Sequence, residues 1–336
     1  MERIKTVFII APYHYDYSVA AIIEGINKIP DVKVFANSDH NHCLNPVVKL
    51  KTQKQVAKLA DVTVLVHSAL EDKYVQFVQP LLDEVKPQVF LDGSDYAEYE
   101  ANPMDYKLYL KRELDPEQRR VEDNVEPFIF AAEDRFFVYS DSWRHALGRI
   151  SDEEVTPAAL HKSIWEQKTQ KMACIMTACD KRPWRFNVLN KLNECYKDDD
   201  EAFVGEIRTG DTHDGLDTGD RHFSGYFAKL FDSRISIDAY GCGGARQTGR
   251  FWESLANGCL VFYQPIEPYI WTNTYKEDEH FVVYRSADEL VEKLRYYEEH
   301  DDEARQIAEN GFCHLVKHHT TMERSSQFLK LCERYL

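Results

Sequence analysis

The chain has no surplus of basic charge. Of its 336 residues, 41 are lysine or arginine and 57 aspartate or glutamate, a formal net charge of −16. A face that grips nucleic acid or anionic lipid by bulk positive charge is therefore not expected, and any bound anion must meet a local group of arginines. Long hydrophobic runs are missing as well. No apolar stretch approaches the ~20 residues of a membrane span, and the opening MERIKTVFIIAP lacks the longer apolar region and small-residue cleavage site of a secretory signal. A cytoplasmic protein without a membrane span is expected. Glycine (14) and proline (12) are too few for a fibrous or low-complexity chain. The eight cysteines (43, 174, 179, 195, 242, 259, 313 and 332) show no paired CxxC spacing, which excludes a zinc ribbon and points to reduced, partly buried thiols. Hydrophobic residues, at 43%, suffice for full cores, and the length favours two domains at ~100–200 residues each.

Short apolar runs alternate with amphipathic stretches. Strands are expected over 6–11, 32–36, 62–67 and 87–92, with helices over 18–28, 51–60 and 73–85 between them. Strand and helix in alternation build a parallel sheet covered on both faces. Between residues 99 and 170 the pattern breaks into charged helical stretches around the apolar segment PFIFAAEDRFFVYS. It restarts with strands over 172–177, 202–207, 234–239, 259–263 and 280–284, and helices over 183–196, 224–231 and 247–257. The C-terminus is helical, and Ser286 with Glu289 forms a capping box at its first helix. The expected architecture is two Rossmann-like α/β domains, residues 1–155 and 156–336, facing a cleft, with helices at the C-terminus. In open parallel sheets ligands bind at the carboxyl ends of the strands, so an enzyme holding its substrates there is the natural reading.

The richest chemistry lies in residues 234–263, RISIDAYGCGGARQTGRFWESLANGCLVFY. A strand runs into a turn carrying Gly241, Gly243 and Gly244, the turn opens a helix, and Arg246 and Arg250 stand at the helix start. Glycines admit a ligand close to the backbone, the helix N-terminus offers unpaired N–H groups, and arginine forks match phosphate oxygens. A diphosphate fits such a turn. Arg250, Glu253 and Asn257 share one helix face, and Glu253 has two acceptor oxygens for the hydroxyls of a ribose. The glycine spacing does not keep the GxGxxG fingerprint of a dinucleotide fold. Arginines and glycines in the phosphate turn point to diphosphate binding without a metal or cofactor.

The run Arg250-Phe-Trp-Glu253-Ser-Leu-Ala-Asn-Gly258-Cys-Leu-Val resembles the donor-site signature of nucleotide-sugar glycosyltransferases of the GT-B fold. It is similar to the glycosyl transferases group 1 domain of spore-maturation-type proteins and to the exostosin-type domain. IMTACDKRPWRFNVLNKL resembles the segment that opens that domain, and the likeness spans about residues 172–315. The resemblance implies that Glu253 binds the ribose, that Arg246 or Arg250 binds the phosphates, and that Arg182 and Arg185 lie near the diphosphate. Many retaining relatives carry a second glutamate eight positions before the first; here that place is Ala245. Inversion and retention both stay open.

The acceptor and any general base belong to the N-terminal domain. Two loops follow its strands, Pro12-Tyr13-His14-Tyr15-Asp16-Tyr17 and Asp92-Gly93-Ser94-Asp95-Tyr96. His14, Asp16, Asp92 and Asp95 are the candidate bases, each also fitting a helix cap or a turn. Tyr13 stands beside them, and a basic segment with Lys111 and Arg112 resembles one that borders the cleft in spore-maturation-type relatives, or is a solvated helix face. Metal sites are not expected: Asp39, His40, His42 and Cys43 read as a solvated loop, and Asp211, Asp214, Asp217 and Asp220 lack the alternate-residue spacing of a calcium loop. His318 and His319 read as a helix surface. The resulting expectation is a metal-independent glycosyltransferase acting from a nucleoside diphosphate sugar on a carbohydrate or glycoconjugate acceptor. A nucleotide-sugar epimerase and a non-catalytic nucleotide- or sugar-binding module are the alternatives.

Overall fold

The computed structural model describes residues 4–12, 16–38, 50–94, 96–115, 117, 122–137, 156–176, 178, 183–205, 225–240, 248–266 and 274–336. Contacts divide the chain into two units, the first from residues 1–133 with 318–336 and the second from most of 134–317.

In the first unit, strands β1 (Thr6–Ile10), β2 (Lys33–Ala36), β3 (Val62–Val66), β4 (Val89–Asp92), β5 (Leu108–Lys111) and β6 (Val125–Pro127) form one parallel sheet in the order β2-β1-β3-β4-β5-β6. Helices α1 (Tyr17–Asn27), α2 (Leu50–Leu59) and α3 (Asp72–Leu82) connect the early strands as the apolar spacing requires. Strands β3, β4 and β5 are buried at every position, which is why they read as apolar runs rather than alternations. β5 and β6 correct the expectation of charged helix between 99 and 126. Lys111, in register with Asp92 on the neighbouring strand, is a buried strand residue whose charge makes its segment look like a solvated helix.

The last helix, α10 (Thr321–Tyr335), also packs in the first unit, whereas the sequence reading grouped it with the second half. Gly25 of α1 makes the close approach possible, since a Cβ there would stand 2.0 Å from the Thr321 carbonyl oxygen. Ser325 Oγ donates to the Ile22 carbonyl at 2.9 Å, and Phe328 meets Phe128 edge-on. His319, expected on a surface, is buried against Arg324, with Nη2 3.0 Å from Nδ1.

The second unit comprises α4 (Pro157–Trp165), β7 (Gln170–Cys174), α5 (Pro183–Tyr196), β8 (Ala202–Val204), α6 (Gly225–Asp232), β9 (Ser233–Ile237), α7 (Gly249–Ala256), β10 (Leu260–Tyr263), β11 (Val282–Val283), α8 (Ala287–Glu299) and α9 (Asp301–His318). Its sheet is parallel in the order β8-β7-β9-β10-β11. Ser286 Oγ accepts from the Glu289 N–H at 3.1 Å, the expected N-terminal cap of α8. Both sheets therefore place their second strand outside the first and then grow the other way. That reversal leaves a crevice at the carboxyl ends of β1 and β3 in one unit and of β7 and β9 in the other, where open α/β sheets take ligands.

The α1–α10 contact gives the first prediction. Gly25→Ala should lower stability by about 1–3 kcal/mol, because the methyl would collide with the Thr321 backbone carbonyl as well as the Ser325 hydroxyl, and the backbone cannot swing aside. Urea unfolding checks this against Gly93→Ala, whose nearest neighbour is the Ser18 hydroxyl at 3.1 Å and which should cost less.

Candidate functional site

In the second unit β9 ends at Ile237 and hands the chain to Asp238, whose side chain is fully buried. A buried carboxylate must be met by charge or donors. Arg250 Nη1 lies 2.6 Å from Asp238 Oδ1, and the Thr248 hydroxyl donates to Oδ2. Thr248 is the residue before α7 and Arg250 lies in its first turn, so one strand-end carboxylate pins the start of the helix. Tyr263 of β10 takes the Thr248 N–H at 3.1 Å on its hydroxyl.

The next two carbonyls are held from α5. Arg185 donates from Nη2 to Ala239 at 2.9 Å and from Nε to Tyr240 at 3.0 Å, and Trp184 Nε1 reaches the same Tyr240 carbonyl at 3.2 Å. Arg185 is thus buried and engaged with backbone, tying the helix after β7 to the strand end of β9 across the switch point. Glu253, also buried, accepts from the Tyr226 hydroxyl of α6. Asn257, on the same helix face as Arg250 and Glu253, donates from its amide to the Phe136 carbonyl at 3.0 Å and the Glu253 carbonyl at 2.8 Å, and so closes the C-terminus of α7. Burial pushes the Cys174 thiol up to about 12, and it stays protonated beneath this cluster. Arg182, Gly243, Gly244 and Arg246 lie outside the described residues.

Asp238 and Tyr226 were missed by the sequence reading. Asp238 had a signal, an acid closing an apolar strand just before the glycine turn; Tyr226 had none, since only packing of α6 on α7 brings it to Glu253.

In the first unit the carboxyl ends of β1, β3 and β4 bring together Asp16, Ser68, His67 and Gly93. Asp16 caps α1, accepting from the N–H groups of Ser18 (2.9 Å) and Val19 (3.2 Å) and from the Ser68 hydroxyl (2.9 Å). His67, which the sequence reading passed over, accepts the Gly93 N–H on Nδ1 at 3.1 Å, so a neutral ring carries its proton on Nε2. Tyr13, His14 and Asp95 lie outside the described residues.

Asp92 is not poised as a base. It is fully buried and accepts from Tyr109 Oη at 2.5 Å, Lys111 Nζ at 2.9 Å, and the N–H groups of Ser94 and Glu100, each at 3.1 Å. Burial opposes its ionisation, but the Lys111 ammonium and these donors hold its carboxyl below the usual aspartate value. Lys111 is equally buried and also donates to Ser94 Oγ and the Glu98 carbonyl, both at 2.8 Å, which corrects the expectation that it borders a cleft. Arg112 is buried too, stacked 4.5 Å over the Phe130 ring and bonded to Glu113 at 3.0 Å.

Among the described residues no group of three or more His, Cys, Asp or Glu side chains is placed to hold a metal, and no helix is long and apolar enough to cross a membrane. The loops 39–43 and 211–220, with their Asp, His and Cys side chains, lie outside those residues. An aspartate triplet, Asp198–Asp200, precedes β8 and so sits at the amino edge of the sheet, away from the ligand edge; there Asp199 pairs with Lys171 at 2.9 Å.

Two units with reversing parallel sheets, the second presenting a strand-end acid, an arginine and a glutamate beside its switch point, define the GT-B class of fold. Solved structures agree. A glycosyltransferase from Rickettsia africae matches 99% of this chain and 99% of its own at 13% identity, with a TM-score of 0.55. The Anabaena protein HepE, solved with UDP-glucose, matches 99% of this chain and 100% of its own at 8% identity and a TM-score of 0.56. An alpha-glucosyltransferase solved with UDP and a 13-mer DNA gives 8% identity, 99% and 100% coverage and a TM-score of 0.61. At the level of sequence, residues 223–330 match the glycosyl transferase-like family model, a span that runs from just before α6 into α10 and includes Tyr226, Asp238, Arg250 and Glu253. No curated protein matches the chain.

The Asp92–Lys111 pair gives the second prediction. Lys111→Met leaves a buried carboxylate without its counter-charge and should cost about 3–5 kcal/mol, part of which Asp92→Asn in the same chain restores. Because the folded-state pKa of Asp92 lies below its unfolded value, its share of the stability is complete at neutral pH and is lost as pH falls through the folded value. Urea unfolding between pH 7 and pH 3 should therefore show a shallower acid loss in the double variant than in the wild type.

Proposed function

We propose that the chain is a glycosyltransferase that moves a sugar from a nucleoside diphosphate sugar to a hydroxyl of a carbohydrate or glycoconjugate, without a metal. The observation that carries the proposal is the coincidence, at one sheet switch point inside the family-matched span, of a buried Glu253–Tyr226 pair and the Asp238-anchored Arg250 at the start of α7. In this reading Glu253 accepts from the ribose hydroxyls, and Tyr226 orients its carboxylate. The diphosphate lies at the N-terminus of α7, met by Arg250, by Arg246 with Gly243 and Gly244 of the glycine turn, and by Arg182. Arg250 keeps part of its guanidinium exposed while Nη1 is tied to Asp238, which leaves a fixed cation at the start of α7. Arg185 acts at one remove by holding the carbonyls of residues 239 and 240.

Catalysis follows from charge and position. As the glycosidic bond to the diphosphate breaks, negative charge grows on the leaving oxygen, and arginines with helix N–H groups already in place stabilise it without reorganisation. These cationic groups do what a divalent ion does elsewhere. In the first unit the acceptor hydroxyl lies at the ends of β1, β3 and β4. If the reaction inverts, His14, Asp16 or Asp95 takes its proton, whereas Asp92 serves as an internal anchor. The net charge of −16 argues against DNA as the acceptor, although the similar alpha-glucosyltransferase was solved with it. The protein acts in the cytoplasm in this reading, with residues 1–155 serving the acceptor and 156–336 the donor, apart from the α10 contribution to the first unit.

Calorimetric titration with nucleoside diphosphates tests the donor site. Binding should survive EDTA. Arg246→Ala should weaken it by ~1.5–3 kcal/mol, the value of a charge-assisted hydrogen bond, and Glu253→Ala should weaken a nucleoside diphosphate more than inorganic pyrophosphate. Loss of binding on chelation, or wild-type affinity in both variants, contradicts the assignment. Release of the nucleoside diphosphate with sugar appearing on acceptor or water separates transfer from epimerisation.

A further inference from the structure

Helices α6 and α7 carry the two halves of the ribose pair, and both end on the same side chain. Lys168, just before β7, is buried, and its Nζ donates to the carbonyls of Phe231 at 2.8 Å and Asn257 at 2.8 Å, with the Leu230 carbonyl at 3.5 Å and Cys259 Sγ at 3.8 Å. Leu230 and Phe231 close α6, and Asn257 is the C-cap of α7. The Cys259 thiol adds a second tie, donating to the Leu230 carbonyl at 3.0 Å. One turn earlier on each helix stand Tyr226 and Glu253, four residues before Leu230 and Asn257 respectively. The helices thus run in the same direction and are braced at two levels, by the Tyr226–Glu253 bond and, about 6 Å along, by the lysine.

The lower brace has an electrostatic reason. Each helix ends in unpaired carbonyls bearing about half a negative charge, and two such ends side by side repel. An ammonium between them turns that repulsion into attraction, and three carbonyls with a thiol replace the water it lost. Burial pulls the Lys168 pKa below that of an ordinary lysine, opposed by Cys259 and Asp232. A methionine of similar length would fill the space and restore none of the charge.

We propose that Lys168 is a positioning residue of the nucleotide site, setting the register of α6 on α7 so that the Tyr226 hydroxyl holds the Glu253 carboxylate toward the ribose. The proposal rests on the ribose role given to Glu253 above. Arg250 is tied separately to Asp238 of the β9 end, so the phosphate side of the site does not depend on this brace.

The test uses the full chain, titrated with whichever of uridine, guanosine, adenosine, cytidine or thymidine diphosphate binds the wild type tightest, and with inorganic pyrophosphate as the ribose-free probe. Lys168→Met should weaken the nucleoside diphosphate about tenfold, within the range for coupled groups in one network, and leave pyrophosphate unchanged. In a Glu253→Ala background the same substitution should change nucleotide affinity less than about twofold, because nothing remains to be positioned. A purely structural lysine would lower the melting temperature in both backgrounds and leave affinity alone. Should Lys168→Met fail to fold, Cys259→Ala removes only the thiol tie and should weaken the nucleotide about twofold to threefold, again only while Glu253 is present. Wild-type affinity in the folded variant, or a penalty that persists without Glu253, overturns the proposal. Wild-type affinity in Glu253→Ala alone overturns the ribose reading itself.

Discussion

Asp238 cannot meet water, and much of the second unit's ligand edge is arranged around that fact. A carboxylate at the end of a buried strand is costly unless several donors satisfy it, and here they come from the residue before α7 and from its first turn. The backbone of the same residue is engaged as well, its carbonyl accepting from the Tyr284 hydroxyl at 2.8 Å. The strand end, the helix start and the neighbouring strands thus share one network. A buried acid behind the first turn thus fixes the start of α7 through Thr248 and Arg250.

The first unit meets the same physical problem differently. Asp92 ends β4 as Asp238 follows β9, yet its counter-charge, Lys111, comes from the adjacent strand in register rather than from a helix. Tyr109, Ser94 and the N–H of Glu100 complete the shell, so the acid secures the loop after β4. One carboxylate fixes a helix that carries arginine and glutamate; the other fixes a loop. Equivalent positions on two sheets of similar strand order therefore serve different ends, because the partner of each acid is supplied by a different element.

With a net charge of −16, positive charge can meet an anion only where it is concentrated locally, and three arginines at the two sheet edges are committed within the protein. Arg185 is spent on backbone carbonyls, Arg112 lies over an aromatic ring beside Glu113, and Arg250 shares its charge with Asp238. A paired guanidinium is held in one orientation. Lys168, with no carboxylate bonded to it among the described residues, is turned to two helix ends.

The order of strands and helices was legible in the sequence because periodicity is a local property. The apolar runs within 6–10, 62–66, 172–174 and 260–263 must be buried wherever they pair, and Glu253 with Arg250 was legible because four residues of helix bring them near one another. Three things needed the tertiary structure. Lys111 reads as a solvated residue until the strand beside it supplies Asp92. Asp238 and Tyr226 acquire their partners through contacts over sequence separations of 12 and 27 residues. The last helix joins the first unit, some 300 residues from α1 along the chain, because Gly25 lets two backbones meet where any side chain would keep them apart. Pairing of charges and close approach of backbones depend on which surfaces face each other, and a linear pattern of apolar and polar residues does not encode that.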